Sequence, residues 1–320
     1  MGVINMTDSD PSLADRFVGC LLGLAIGDAI GAHFEGQSAE HITGRYPTVE
    51  RLMKSAPPGE LWYTDDTQMA IGVAETLVAC RGIDPVVICQ RFAENYTPQR
   101  GYGRGARVVL KAMVEGRDHA QIAANHFPGG SLGNGAAMRV APVGLMFRHD
   151  HAALWEHARL SALPTHVHPL GIEGAQVLAL AVALASAAGP FDRTEFCETL
   201  AAHCRSAEYS GPLRRAARAN GARDLALFGN GIEATSSVVT AIACFTLTPD
   251  SYEQTIGNAI LLGGDTDTIA AMAGAISGAH LGRRALPEHL VKNLENRHQG
   301  KNYIEGLAGK LLAAHEGMAS

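Results

Sequence analysis

Two short segments each gather two aspartates and two threonines immediately before an apolar run. One is Tyr63-Thr64-Asp65-Asp66-Thr67, followed by Gln68-Met69-Ala70-Ile71; the other is Gly263-Gly264-Asp265-Thr266-Asp267-Thr268, followed by Ile269-Ala270-Ala271-Met272. Asp28 and Glu35, seven residues apart, make a third acidic group. Taken singly, Thr and Asp ahead of a helix are ordinary caps for its first N–H groups and suit the positive end of its dipole. A cap needs one oxygen, however, and each segment offers two carboxylates and two hydroxyls. Aspartates packed that closely beside an apolar core repel one another, and a divalent cation removes the repulsion. Oxygen-only ligand sets select hard ions such as Mg²⁺, Ca²⁺ or Mn²⁺ over zinc or copper. Facing each other, the two segments could hold two such ions close together. Zinc is the competitor, but the 14 histidines show no H-E-x-x-H or similar spacing.

Two glycine-rich stretches come next in chemical interest. Arg100-Gly101-Tyr102-Gly103-Arg104-Gly105 precedes a helix expected from about Gly105, and Pro128-Gly129-Gly130-Ser131-Leu132-Gly133-Asn134-Gly135 precedes another with Arg139 just inside it. A glycine run entering a helix exposes backbone N–H groups to an anion, with the dipole adding to the attraction. Tight turns between helices look the same in sequence. Neither stretch is a P-loop, because no Gly-Lys-Ser/Thr follows, and neither is a dinucleotide fingerprint, because no strand precedes. His166, within Pro164-Thr165-His166-Val167-His168-Pro169, could stack on or hydrogen-bond to a ligand, or be a plain loop histidine. Asn230, between Gly229 and Gly231, reads as a turn residue, and Glu173 as an early-helix charge.

The elements that must position these groups are helical. Of 320 residues 47% are hydrophobic and only 6% aromatic, with no run of alternating β-branched residues, which predicts an all-α protein with a large core. Expected helices include about Leu13 to Ala32, Asp66 to Cys80, Gly171 to Ala188, Arg193 to Ala207, Pro212 to Asn220, Thr268 to His280 and Pro287 to Gly317. No linker divides them, so the expectation is a disordered tail over 1–12 and one compact domain over 13–320. Gly19, Gly23, Gly27 and Gly31 recur on one helical stripe, which calls for close backbone packing against a neighbour, since each glycine costs about 1 kcal/mol of helix stability relative to Ala. Net charge is −6 with Lys and Arg scattered, which disfavours nucleic acid. The six cysteines form no C-x-x-C pair and read as free thiols of a reducing compartment. The N-terminal residues lack a secretory pattern, and Val177 to Ala188 is too short to cross a bilayer. A cytoplasmic monomer with no membrane partner is expected.

Together the motifs resemble the ADP-ribosylglycohydrolase family from about Asp15 to Gly282. The resemblance rests on Gly19-Cys20-Leu21-Leu22-Gly23-Leu24-Ala25-Ile26-Gly27-Asp28, Glu35, the Tyr63–Thr67 segment, Gly133-Asn134-Gly135-Ala136-Ala137-Met138-Arg139, and Leu262 through Thr268. It implies an orthogonal helical bundle with a pair of Mg²⁺ ions, replaceable by Mn²⁺, at the bottom of a cleft that accepts ADP-ribose. By position Thr64, Asp65, Asp66, Asp265, Asp267 and Thr268 would be metal ligands. Glu35 matches an acidic residue on a mobile flap that reaches the metals. Catalytic roles would fall to Glu35, Asp65, Asp66 and Asp267. Gly101, Gly103 and Gly105, with Gly130, Ser131, Leu132, Gly133, Asn134 and Gly135, would contact diphosphate and riboses; His166 and Ile232 match positions near the adenosine and distal parts of the ligand. The Gly-Tyr-Gly-x-Gly loop, the Ser131–Gly135 loop and Thr165-His166 look most like the branch that removes ADP-ribose from serine of modified proteins, which also acts on poly(ADP-ribose) and O-acetyl-ADP-ribose. Gly129 and Leu132 depart from that branch, where a longer basic residue and an aromatic one often stand. The alternatives are hydrolysis of ADP-ribosylarginine and a non-catalytic ADP-ribose-binding relative.

Overall fold

A computed structural model describes residues 10–55 and 59–319. Its helices in chain order are α1 Leu13–Gly31, α2 Ala39–Arg45, α3 Val49–Lys54, α4 Asp65–Cys80, α5 Pro85–Asn95, α6 Arg104–Val114, α7 His119–His126, α8 Ala141–Met146, α9 His151–Ala162, α10 Pro169–Ala185, α11 Arg193–His203, α12 Ala207–Ala216, α13 Ala222–Ala226, α14 Ala234–Leu247, α15 Tyr252–Leu261, α16 Thr266–Leu281, α17 Glu288–Asn293 and α18 Lys301–Ala319. Among the described residues there is no strand, only three isolated bridges, so the all-α expectation holds. No helix among them is long and apolar enough to cross a membrane. Of the segment 1–12, residues 1–9 lie outside the described residues. Asp10 pairs with buried Arg16, and the Ser12 side chain caps α1.

The glycine stripe of α1 finds its partner in α16, which runs antiparallel to it. A Cβ at Gly19 would stand 2.4 Å from the Gly278 carbonyl oxygen, at Gly23 2.4 Å from that of Gly274, at Gly27 2.2 Å from that of Ala270, and at Gly31 2.4 Å from that of Thr266. Any side chain on this face would push the helices apart, so glycine's intrinsic cost in a helix is offset by backbone contact along the whole length. One consequence is functional. The C-terminal turn of α1, with Asp28, lies against the first turn of α16, with Asp267.

Several expected boundaries shift. The helix expected over Arg193 to Ala207 ends at His203, and the next starts at Ala207 rather than Pro212. Buried Glu173 causes the break, accepting the backbone N–H groups of Arg205 (2.6 Å) and Ser206 (3.0 Å). It lies early in α10, as expected, and is in addition a buried anchor. The single long helix expected from Pro287 to Gly317 is two, because the intervening Glu295 turns inward to a salt bridge with Arg100. Helices α2, α3, α7 and α13 were not expected: they are short, and α7 buries nothing, so they leave little periodic signal. The cysteines are free, as expected, though Cys80 is exposed.

Candidate active site

Several helices begin with an ordinary cap. Ser12, Thr48, Asp84, Asp118, Asp150, Asp192 and Ser251 each accept a first-turn N–H on the side chain. The two helices that follow the acidic segments do not. Thr64 before α4 and Asp265 before α16 make no side-chain cap bond, so capping does not explain the residues that suggested it. Their oxygens are directed elsewhere.

Asp28 organises the α4 side. Its carboxylate accepts the Thr64 N–H (3.0 Å) and hydroxyl (2.8 Å) and the Thr67 N–H (3.1 Å) and hydroxyl (2.5 Å). Four donors from one turn onto one buried carboxylate do the work of an N-cap from another helix. They free Asp65 and Asp66 to point away from the backbone. From the outer side, Glu295 accepts the Tyr63 N–H (3.2 Å), and Arg100, paired with Glu295, donates to the Tyr63 carbonyl (2.7 Å). Sequence reasoning placed Asp28 in an acidic group but gave it no role, and it missed Glu295, whose partners are far away in the chain.

On the α16 side the turn is set by Asn230. Its carbonyl accepts the Asp265 N–H (2.9 Å), and its side chain donates to the Leu262 carbonyl (2.8 Å). Gly264 sits at φ +76°, with space for no Cβ against Asn230. The turn reading of Asn230 is right, and the turn it shapes is the acidic one. Just after Glu35, the Gly36 N–H donates to the Gly264 carbonyl (2.8 Å), and the Gly264 N–H to that of Gln37 (2.9 Å). Glu35 is exposed, yet its segment is tied to the loop bearing Asp265.

The segments converge. Glu35, Asp265 and Asp267 each bring a carboxylate oxygen within 4.8 Å of the others. Asp66 Oδ2 lies 3.4 Å from the hydroxyls of both Thr64 and Thr268, joining the two turns. Among the described residues none of Asp28, Glu35, Asp65, Asp66, Asp265 and Asp267 has a basic ion-pair partner. Burial is the main cause that raises their protonation equilibria; mutual repulsion adds to it for Glu35, Asp65, Asp66 and Asp267, and repulsion from Glu233 for Asp265. Asp28 is held to about 6 by its four hydrogen bonds; Asp65 rises to about 7, Asp267 to about 9, and Asp66 well above its ordinary value. Glu35 and Asp265 also move up. Asp66 Oδ1 and Asp267 Oδ1 are buried without any hydrogen-bond partner. Like charges facing one another, with orphaned oxygens between them, fit a hard cation and little else that the chain supplies.

The glycine loops border this cluster unevenly. Gly101, at φ +89°, lies with its Cβ direction 3.6 Å from Asp65 Oδ1. Gly103 is exposed and faces open space, whereas Gly105 is inside α6 against Phe127. In the second loop, the Asn134 side chain donates to Asp265 (2.5 Å) and Ser237 (3.1 Å), tying the loop to the acids. Gly133 bridges antiparallel to Glu233, the Asn134 N–H donating to the Ile232 carbonyl (2.9 Å) and the Ala234 N–H to that of Leu132 (2.9 Å); Leu132 and Ile232 are exposed there. Gly130, at φ +92°, packs on the His168 backbone, and Ser131 Oγ accepts the Gly133 N–H (3.2 Å). Gly133 and Gly135 both face the His166 ring. The helix expected after this loop is α8, which starts at Ala141, so buried Arg139 lies just before it, and a 3₁₀ turn, Asn134–Ala136, intervenes. No helix starts directly at the glycines, so the loop offers its own N–H groups rather than a helix N-terminus.

The sequence profile described as ADP-ribosylglycohydrolase matches residues 9–319. The chain is similar to ADP-ribosylhydrolase ARH3 of Homo sapiens, 37% identical over 325 residues covering 88% of this chain and 89% of that protein. For ADP-ribosylhydrolase ARH3 of Gallus gallus the identity is 38% over 328 residues, with 88% and 89% covered. A solved structure titled ADP-ribosylglycohydrolase-related protein complex superposes with a TM-score of 0.66 at 28% identity, covering 95% of this chain and 99% of that one. The chain belongs to the ADP-ribosylglycohydrolase family and is an ADP-ribosyl glycohydrolase.

Proposed function

We propose that this enzyme hydrolyses the O-glycosidic bond between ADP-ribose and a serine side chain of a modified protein, with two Mg²⁺ ions as cofactors and Mn²⁺ able to replace them. The observation that carries the reading is the pair of buried, partnerless oxygens, Asp66 Oδ1 and Asp267 Oδ1, one from each turn, in a cluster without a basic partner. Thr64, Asp65, Asp66, Asp265, Asp267, Thr268 and Glu35 would hold the ions. When bound, such ions supply Lewis acidity toward ribose hydroxyls and water. Similarity to proteins named ADP-ribosylhydrolase ARH3 supports removal of ADP-ribose, and the Ser131–Gly135 and Thr165-His166 motifs, which resemble the serine branch, favour the serine-linked substrate over the arginine-linked one.

The chain's own residues account for the rest. Departure of the leaving group develops positive charge on the ribose, and a site ringed by carboxylates stabilises it. Gly101 beside Asp65, and Gly133 and Gly135 beside His166, leave room for the ligand backbone to approach closely. A carboxylate among Asp65, Asp66 and Asp267 accepts the proton of the attacking water. Away from the ions, Glu35, partly desolvated at the rim and with its protonation raised by that and by Asp265, supplies a proton to the departing oxygen.

Serine-linked and arginine-linked ADP-ribosyl peptides, assayed side by side with Mg²⁺ and with a chelator, test this. Mg²⁺-dependent release of ADP-ribose from the serine peptide, at least tenfold faster than from the arginine peptide, is expected. A preference for the arginine peptide overturns the acceptor, and full activity in chelator overturns the cofactor.

A further inference from the structure

Arg139 is 1% exposed and has no carboxylate partner among the described residues. Its Nη2 donates to the carbonyls of Ser161 (2.7 Å) and Ala162 (3.3 Å) and to the Thr165 hydroxyl (2.9 Å). That hydroxyl lies 2.7 Å from His166 Nδ1. Thr165 is buried, and a hydroxyl has one proton to give. Arg139 already occupies its acceptor side, and His166 Nδ1 is its one acceptor among the described residues. Were Nδ1 protonated, the hydroxyl would receive two donors and leave its own O–H buried and unpaired, which costs far more than the bond it replaces. The O–H therefore donates to Nδ1, and the imidazole proton sits on Nε2.

Nε2 faces the glycine loop, 3.4 Å from where a Cβ of Gly135 would be and 3.7 Å from that of Gly133. We infer that Arg139 and Thr165 are positioning residues that lock His166 in the Nε2–H tautomer, so that it offers one neutral N–H donor to an acceptor atom of the ligand lying over Gly133 and Gly135. Burial, and then the neighbouring Arg139 charge, push the His166 protonation down to about 3, so the ring does not become a charged donor near neutral pH. The two glycines keep the donor's approach open. The ligand's identity rests on the function proposed above; the tautomer stands on the chain alone.

The experiment reads the imidazole nitrogens by NMR in ¹⁵N-histidine-labelled protein, with His166→Asn assigning the signal, and measures the ADP-ribose Kd and the kcat and KM of turnover. Wild type should show protonated Nε2 and unprotonated Nδ1. Thr165→Val, which removes the hydroxyl with little change of shape, should mix the tautomers and weaken ADP-ribose binding about tenfold, chiefly in KM. Thr165→Ser should restore both tautomer and affinity to within about twofold. Protonated Nδ1 in the wild type overturns the inference, whatever the variants do. So does Thr165→Val with an unchanged tautomer and Kd. Wild-type protein with the Nε2–H tautomer but no ADP-ribose binding supports the lock and overturns the ligand assignment instead.

Discussion

The Asp28 carboxylate on α1 takes both the N–H and the hydroxyl of Thr67 on α4, at 3.1 and 2.5 Å. A side chain of the glycine-striped helix thus does the capping that Thr64 does not. The arrangement couples three helices: α16 is fixed to α1 by backbone contact, α4 is fixed to α1 by Asp28, and the two acidic turns meet as a result.

Asp28→Ala should therefore remove more than a charge. Buried N–H and hydroxyl donors at Thr64 and Thr67 would lose their acceptor, at about 1–3 kcal/mol for each left unsatisfied. With the Thr64 hydroxyl able to turn to Asp66, a total loss of at least about 3 kcal/mol is expected in urea unfolding, with turnover lost even where the protein remains folded. Asp28→Asn, retaining one acceptor oxygen, should fall between.

Without metal, the acid cluster should make stability fall as pH rises. Raised folded-state values, about 6 for Asp28, about 7 for Asp65 and about 9 for Asp267, against an ordinary 3.8, mean that the folded chain holds these protons more tightly than the unfolded one. The resulting stabilisation is complete below the unfolded value and is lost as pH climbs through each folded value. Chelator-treated protein should show Tm decreasing from about pH 4 to about pH 9 from this cluster. Mg²⁺ should reverse the loss, by about 2.7 kcal/mol when its concentration is one hundred times Kd. A metal-free Tm flat across that window would contradict the burial of charge.

The double variant Asp65→Asn with Asp267→Asn should separate activity from stability. Turnover should disappear with the metal ligands. In chelator at pH 8 the variant should nevertheless be more stable than wild type, because the folded wild type must hold Asp65 charged and Asp267 protonated at that pH, costs that asparagine does not carry. Differential scanning calorimetry beside an ADP-ribose release assay checks both halves.

How much of this was legible in the sequence differs from part to part. The all-α fold was legible because alanine-rich apolar periodicity needs only local information. The acidic turns were legible because paired Asp and Thr exceed what a cap requires. Asp28's role was not, since nothing local says that a carboxylate on α1 will meet Thr64 and Thr67 more than thirty residues on. Glu295, which breaks the expected final helix, was hidden in the same way: its partners Arg100 and Tyr63 are distant in the chain. Gly105 was read with Gly101 from their shared motif, but a one-helix-turn offset aims it at Phe127.

The glycine stripe allows a position-dependent test. Ala at Gly19 or at Gly31 should each destabilise by about 1–3 kcal/mol through overpacking, since each Cβ would meet a carbonyl oxygen of α16 at 2.4 Å. Only Gly31→Ala crowds Asp267, whose Cα would be 2.6 Å away. Mg²⁺ affinity, measured by calorimetric titration, should drop for Gly31→Ala and stay near wild type for Gly19→Ala.

Crystals grown with Mn²⁺ and measured at its absorption edge ask most directly whether the two turns form a cation centre. Anomalous peaks between Asp65 and Asp66 on one side and Asp265 and Asp267 on the other, with Asp66 Oδ1 and Asp267 Oδ1 as ligands, are the expected result. Protein that turns over in Mn²⁺ yet shows no anomalous density between those turns would contradict it.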